Sequence, residues 1–212
     1  MNISTCTVLV CVICVQSTLA QEAAADAPDA TSPAVDATIE IDPELSFSQP
    51  KAFGAADSQY WGLTGGVGIA LEQNEDSTDT NLALTYHRFL IDDVELIAEI
   101  GAWYFAQDGD DAGGINPEIT FRWHFLNRES WTLYADTGIG FLFATDNVPD
   151  GGTSFDFMPR AGGGVSFRLG DRGTRGYVGA RWHHVSNARI NGDSANPDRD
   201  GVMFYGGVMF PF

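Results

Sequence analysis

The sequence predicts an all-β fold, an eight-stranded antiparallel up-and-down transmembrane β-barrel, and three observations carry that prediction. From Gln59 to Phe212, apolar and polar side chains alternate in eight segments, the period of a strand whose two faces meet different surroundings. The breaks between segments alternate as well: Asp92-Asp93, Asn127 to Ser130 and Gly170 to Gly173 are tight, whereas Glu72 to Asp79, Gln107 to Gly114, Thr145 to Gly152 and Ala188 to Asp200 are long and polar. Tight turns at one end and long loops at the other mark barrels of bacterial outer membranes, with the loops outside. Third, the last segment aligns Val202, Phe204, Gly206, Val208, Phe210 and Phe212 on one apolar face and ends on an aromatic residue, as outer-membrane strands do.

What precedes the barrel has a different composition. Residues 1–20 hold an apolar run from Val8 to Val15 and then small residues up to Ala20, which reads as a signal peptide too short to span a bilayer as a helix. All three cysteines, Cys6, Cys11 and Cys14, fall within it, so no disulfide or thiolate metal site is expected in the mature chain. Residues 21–57 read as a disordered acidic linker: from Gln21 to Pro50 there are seven acids, no base, and too little apolar surface to offset the entropy of ordering. The barrel is expected over 58–212.

The eight segments lie at 59–71, 80–91, 94–106, 116–126, 131–145, 153–169, 174–188 and 201–212. In the third, Val94, Leu96, Ala98, Ile100 and Ala102 oppose Glu95, Glu99 and Trp103. In the fourth, Ile119, Phe121, Trp123 and Phe125 oppose Thr120, Arg122 and His124. In the fifth, Trp131, Leu133, Ala135, Ile139, Phe141 and Phe143 oppose Thr132, Tyr134, Asp136, Gly138 and Gly140. The polar faces collect Glu95, Glu99, Asp136, Asp156, Arg122, Arg160, Arg168, Arg181, His124 and His183. Eight strands leave a lumen wide enough only for side chains, so these charges must pair into a filled interior, with Arg181 as a partner for Asp136 or Asp156, and an open channel is excluded. A net charge of −18 with a single lysine excludes nucleic acid as a partner.

The seventh segment carries the chemistry. Its even positions, Val178, Ala180, Trp182, His184 and Ser186, share the outward face, so His184 and Ser186 point the same way at the end of a strand. A base beside a hydroxyl on a lipid-contacting wall is odd for a structural pair, because polar groups there are costly unless satisfied or used. A lipid reaches such a site sideways through the membrane. Asp193, Asp198 and Asp200 in the following stretch could each orient the imidazole. His183 and His184 point to opposite faces, so they form no chelating pair, and neither a metal nor a cofactor is expected. His183 reads as a lumen hydrogen-bonding residue.

His184-x-Ser186-Asn187-Ala188 on the penultimate strand of an eight-stranded barrel resembles the PagL-type lipid A 3-O-deacylases, the outer-membrane acyloxyacyl hydrolase family. The motif resemblance spans about 176–212; over 58–175 it is architectural. It implies an esterase that removes an acyl chain, at the 3 position, from the lipid A of lipopolysaccharide, using Ser186 as nucleophile and His184 as base. The family's acid is a Glu four residues after an oxyanion-hole Asn. Asn196-Pro197-Asp198-Arg199-Asp200 keeps that spacing with Asp in place of Glu, which points to Asn196 and Asp200, with Asp198 as the alternative acid and Asn187 as a second oxyanion or substrate contact. Lipid A and outer-membrane lipids are the implied partners, and a homodimer is compatible with the sequence. The competing reading is a non-enzymatic structural or binding barrel in which the His-Ser pair only ends a strand.

Overall fold

A computed structural model describes residues 52–71, 77–192 and 196–212. The signal peptide expected at 1–20 and the linker up to Lys51 lie outside the described residues. Eight strands follow in order: β1 (Gln59–Ala70), β2 (Thr78–Ile91), β3 (Val94–Ala106), β4 (Ala112–Arg128), β5 (Trp131–Val148), β6 (Thr153–Arg168), β7 (Arg175–Val185) and β8 (Arg199–Pro211). Each pairs antiparallel with its neighbour in sequence, and β8 returns to β1 through a ladder from Tyr60↔Pro211 to Ala70↔Gly201, closing the barrel. Closure pairs the backbone groups that an open sheet would leave along its edges, which is what allows strands to cross a membrane.

Alternation decides which way each side chain points. Leu82, Leu84, Ile100, Ile119, Phe121, Trp123, Ile139 and Phe141 are exposed on the outer face. Aromatic residues gather towards both ends of that face: Trp61, Tyr86 and Phe212 pack together at the turn end, and Phe141, Phe143, Phe155 and Phe157 at the loop end. Such paired girdles are the usual boundary of an apolar band.

The lumen is filled in layers. Near the turn end, Glu95 lies between His87 (3.0 Å), His124 (3.1 Å) and Arg122 (3.4 Å), and Arg122 also holds Asp136 at 3.0 Å while its guanidinium lies over Tyr134. A second layer joins Arg160 to Glu99 and Glu118. A third, nearest the loops, joins Asp79 to His183 and Arg199. Between Thr64, Thr85, Arg122 and Tyr205 the remaining cavity is about 10 Å³, room for about one water, so the interior is packed polar material with no channel at this level.

Several expectations change. Residues 52–57, read as the end of the linker, belong to the barrel: Phe53 packs edge-on against Phe89 and His124 with centroids 5.2 and 5.1 Å away, and Asp57 N donates to Phe89 O at 2.8 Å. Backbone bonds add to that packing, with Asp93 N donating to Gly54 O at 2.7 Å and Ala56 N to Asp92 Oδ1 at 2.9 Å, and together they order a stretch outside the acidic run. Arg181 pairs with neither Asp136 nor Asp156. Its guanidinium lies over the Tyr205 ring and donates to Met203 Sδ, while Asp136 is taken by Arg122 and Asp156 by Thr153 Oγ1. Arg168 lies on the inward face with its ladder partner Arg175, but at the exposed mouth of the turn end and not in the packed interior. β4 and β5 run further than the alternation showed, to Ala112 and Val148, because Ala112-Gly113-Gly114 and Thr145-Asp146-Asn147 give no apolar-polar contrast between the two faces while the strands continue.

Candidate active site

β7 stops at Val185, whose partner on β8 is Arg199, the last rung of that ladder. Ser186 stays in place through the other neighbour: its N donates to Phe157 O (3.2 Å) and its O accepts from Phe157 N (2.8 Å). The chain then turns away sharply, with Ala188 and Arg189 both at positive φ (53° and 62°), a conformation rare for residues bearing a Cβ. Asn187 holds that turn: its Oδ1 accepts from Arg189 N at 2.9 Å, and its Nδ2 donates to Thr153 Oγ1 at 3.1 Å. The side chain at 187 is buried, and these two hydrogen bonds shape the turn that follows Ser186.

β8 begins two residues earlier than the alternation indicated, at Arg199, and this puts Asp200 in a strand directly opposite His184. Asp200 Oδ1 lies 3.0 Å from His184 Nδ1, and His184 Nε2 lies 3.0 Å from Ser186 Oγ. A carboxylate accepts only, so Nδ1 carries the imidazole proton, and Nε2 is left bare to accept from the serine hydroxyl. That tautomer is the one a serine nucleophile needs. The side chains of His184 and Asp200 keep 21% and 42% of their surface exposed, so the group is open to the outer face of the barrel and not to the packed lumen.

Trp182, on the same face two residues before His184, has no role that the sequence alone suggested. Its indole stacks against the His184 ring with centroids 5.8 Å apart, and its Nε1 donates to Asp200 Oδ1 at 2.7 Å. It touches both Asp200 and His184 and so links them on this face. Asn196 is half-buried, and its Oδ1 accepts a weak hydrogen bond from Arg189 N at 3.4 Å. Asp198 is exposed on the loop, with both ring nitrogens of His184 already engaged elsewhere, and Asp193 lies outside the described residues.

With this geometry in view, a family model described as PagL, lipid A 3-O-deacylase, matches residues 80–208, more than half of the chain. The chain belongs to the PagL lipid A 3-O-deacylase family. Among solved structures, the crystal structure of the outer membrane enzyme PagL is similar with 19% identity, 69% of this chain and 97% of that chain covered, and a TM-score of 0.50. Neisserial surface protein A is similar with 14% identity, 73% and 97% coverage, and a TM-score of 0.53. At these identities the two likenesses establish the fold, an outer-membrane β-barrel, whereas the family match establishes the activity: an ester hydrolase that removes the 3-O-acyl chain of lipid A. No curated protein sequence matches the chain. The matched span contains His184, Ser186, Asn196 and Asp200.

Proposed function

We propose that this outer-membrane lipid A deacylase works through Ser186 as nucleophile, His184 as general base and acid, and Asp200 as the carboxylate that orients and charge-stabilises the imidazole. The observation that carries the reading is the unbroken relay from Asp200 Oδ1 to His184 Nδ1 and from His184 Nε2 to Ser186 Oγ, 3.0 Å at each step, on the outer wall of the barrel.

The steps follow from the geometry. Ser186 Oγ attacks the ester carbonyl as its proton passes to His184 Nε2, and the imidazolium that forms is stabilised by Asp200. The oxyanion needs a donor, and Ser186 N is unsuited because it is bonded to Phe157 O. The Asn196 amide is the donor we assign. Collapse of the tetrahedral intermediate expels the sugar 3-oxygen, which takes the proton back from His184 and leaves the acyl group on Ser186. Water, deprotonated by His184, then releases the fatty acid and restores the serine.

The loop end of the barrel is the external one, by the length asymmetry of its connections, so the site faces the outer leaflet, where the lipid A of lipopolysaccharide lies. An acyl chain reaches Ser186 laterally from the bilayer and never enters the lumen. All of the groups come from one chain, so a homodimer, if formed, is not needed for the chemistry. The test is covalent: an alkyl fluorophosphonate should add to Ser186 in the detergent-solubilised barrel, located by peptide mass spectrometry, and labelling should fall to background in His184→Ala. Labelling at another residue, or undiminished labelling in His184→Ala, would refute the assignment.

A further inference from the structure

The two strands that carry the relay are also joined behind it, by one carboxylate. His183 and Arg199 are the neighbours in sequence of His184 and Asp200, and alternation sends their side chains into the lumen. Both end on Asp79 of β2: His183 Nε2 lies 2.8 Å from Asp79 Oδ2, and Arg199 Nη2 bonds Asp79 Oδ1. All three side chains are fully buried. Asp79 is two strands away from β8, and it reaches past β1 at its own ladder partner Gly68, where an added Cβ would come within 3.0 Å of the His183 ring. On β8, the His183 ring lies across Gly201, the neighbour of Asp200, so closely that a Cβ there would stand 2.4 Å from it. Gln107 Oε1 accepts from Arg199 Nη1 at 3.3 Å, completing the grip on that guanidinium.

This lumen cluster sits at the end of the β7–β8 ladder. Val185↔Arg199 is the last rung of the β7–β8 ladder, and His184↔Asp200 is the rung beside it. Strand ends fray unless side chains hold them, and a slip of one residue would turn either His184 or Asp200 to the other face. We propose that Asp79 is a positioning residue of the deacylase: from the lumen it ties His183 of β7 to Arg199 of β8 and thereby fixes the rung on which His184 faces Asp200. The proposal rests on the Ser186-His184-Asp200 reading. Asp79 touches no substrate; it acts through the two strands.

The experiment compares full-length barrels purified in detergent, each checked for heat-modifiability, in steady-state hydrolysis of lipid A. Asp79→Asn removes the charge that both partners seek, and His183→Phe keeps a ring over Gly201 while losing the bond to Asp79. Glu95→Gln breaks an equally buried cluster at the turn end and serves as the stability control. Misplacement of a reacting pair by a fraction of its bond length lowers turnover far more than binding, so kcat of Asp79→Asn and His183→Phe should drop about ten- to a hundred-fold with KM within about twofold of the parent. Glu95→Gln should unfold at lower temperature and keep the parent kcat. If Asp79→Asn does not assemble, His183→Phe decides. Parental kcat in the assembled variants, or an equal loss in Glu95→Gln, would overturn the proposal. Ser186→Ala in the same assay separates the two layers: if it is inactive while Asp79→Asn is not, only the positioning role fails, and if Ser186→Ala is active, the relay itself fails.

Discussion

Asp200 lies directly across the β7–β8 ladder from His184, and its Oδ1 is 3.0 Å from His184 Nδ1. The carboxylate beside His184 therefore comes from a strand and not from the loop, which places it as firmly as the imidazole it meets. Asp200→Asn should cost at least about a hundredfold in kcat, because the amide can present an N–H where the imidazole needs an acceptor and so favours the wrong tautomer. Asp198→Asn, on an exposed loop residue, should stay near the parent rate. Lipid A turnover by the two variants checks the ranking, and the reverse order would move the third member of the relay to Asp198.

Trp182 supplies a second hold on Asp200. Trp182→Phe keeps an aromatic face against His184 and removes the hydrogen bond from Nε1, so it should lower kcat by several-fold, well short of the loss in Asp200→Asn. A single charge-assisted hydrogen bond of about 1.5–3 kcal/mol sets the ceiling of that effect. Measured kcat at saturating lipid A decides it, and an unchanged rate would show that the Nε1 hydrogen bond is not needed to place Asp200.

The eight strands were legible because the period-two pattern is imposed by physics at every position in the apolar band: Phe121, Trp123 and Phe125 must face outward wherever Arg122 and His124 face in. His184 and Ser186 were legible for the same reason, being an exception on the outward face. Partner choice within the lumen was not. Any cation there could serve any carboxylate until the stagger of the strands is known, and Arg122 rather than Arg181 turned out to hold Asp136. The start of β8 was misjudged by two residues because Asn196 to Asp200 contains nothing apolar, so Asp200 read as the edge of the strand when it is already paired within it. Trp182 read only as one outward-facing residue of the seventh segment, since its indole N–H needs a partner that the sequence does not display.

The corrected lumen pairing has its own consequence. Arg122→Met leaves Asp136 and Glu95 buried without their guanidinium, a loss of about 3–5 kcal/mol for a broken buried pair. Arg181→Met removes a guanidinium that lies over the Tyr205 ring, donates to Met203 Sδ and makes no direct ion pair among the described residues, and should cost less. The temperature at which each detergent-purified barrel loses its fast electrophoretic mobility compares them. Equal losses would mean that Arg181 neutralises lumen charge through more than its direct contacts.

Deleting Gln21 to Gln49 leaves Phe53 and its contacts with Phe89 and His124 intact, at the opposite end of the barrel from Ser186. Assembled barrels lacking that stretch should deacylate lipid A at the parent rate. A folded deletion variant without activity would assign the acidic segment a part in the reaction.

The central claim is that Ser186 and His184 act as one catalytic unit on the outer wall of the barrel. Mass spectrometry of lipid A from cells carrying the parent, Ser186→Ala, His184→Ala or the double variant tests it most directly. Only the parent should release the 3-O-acyl chain, each single variant should lose nearly all activity, and the double variant should be little worse than either, as members of one unit are strongly non-additive. Neither side chain fills the lumen, so all four barrels should remain heat-modifiable. An assembled Ser186→Ala barrel that shortens lipid A at the parent rate would contradict the account.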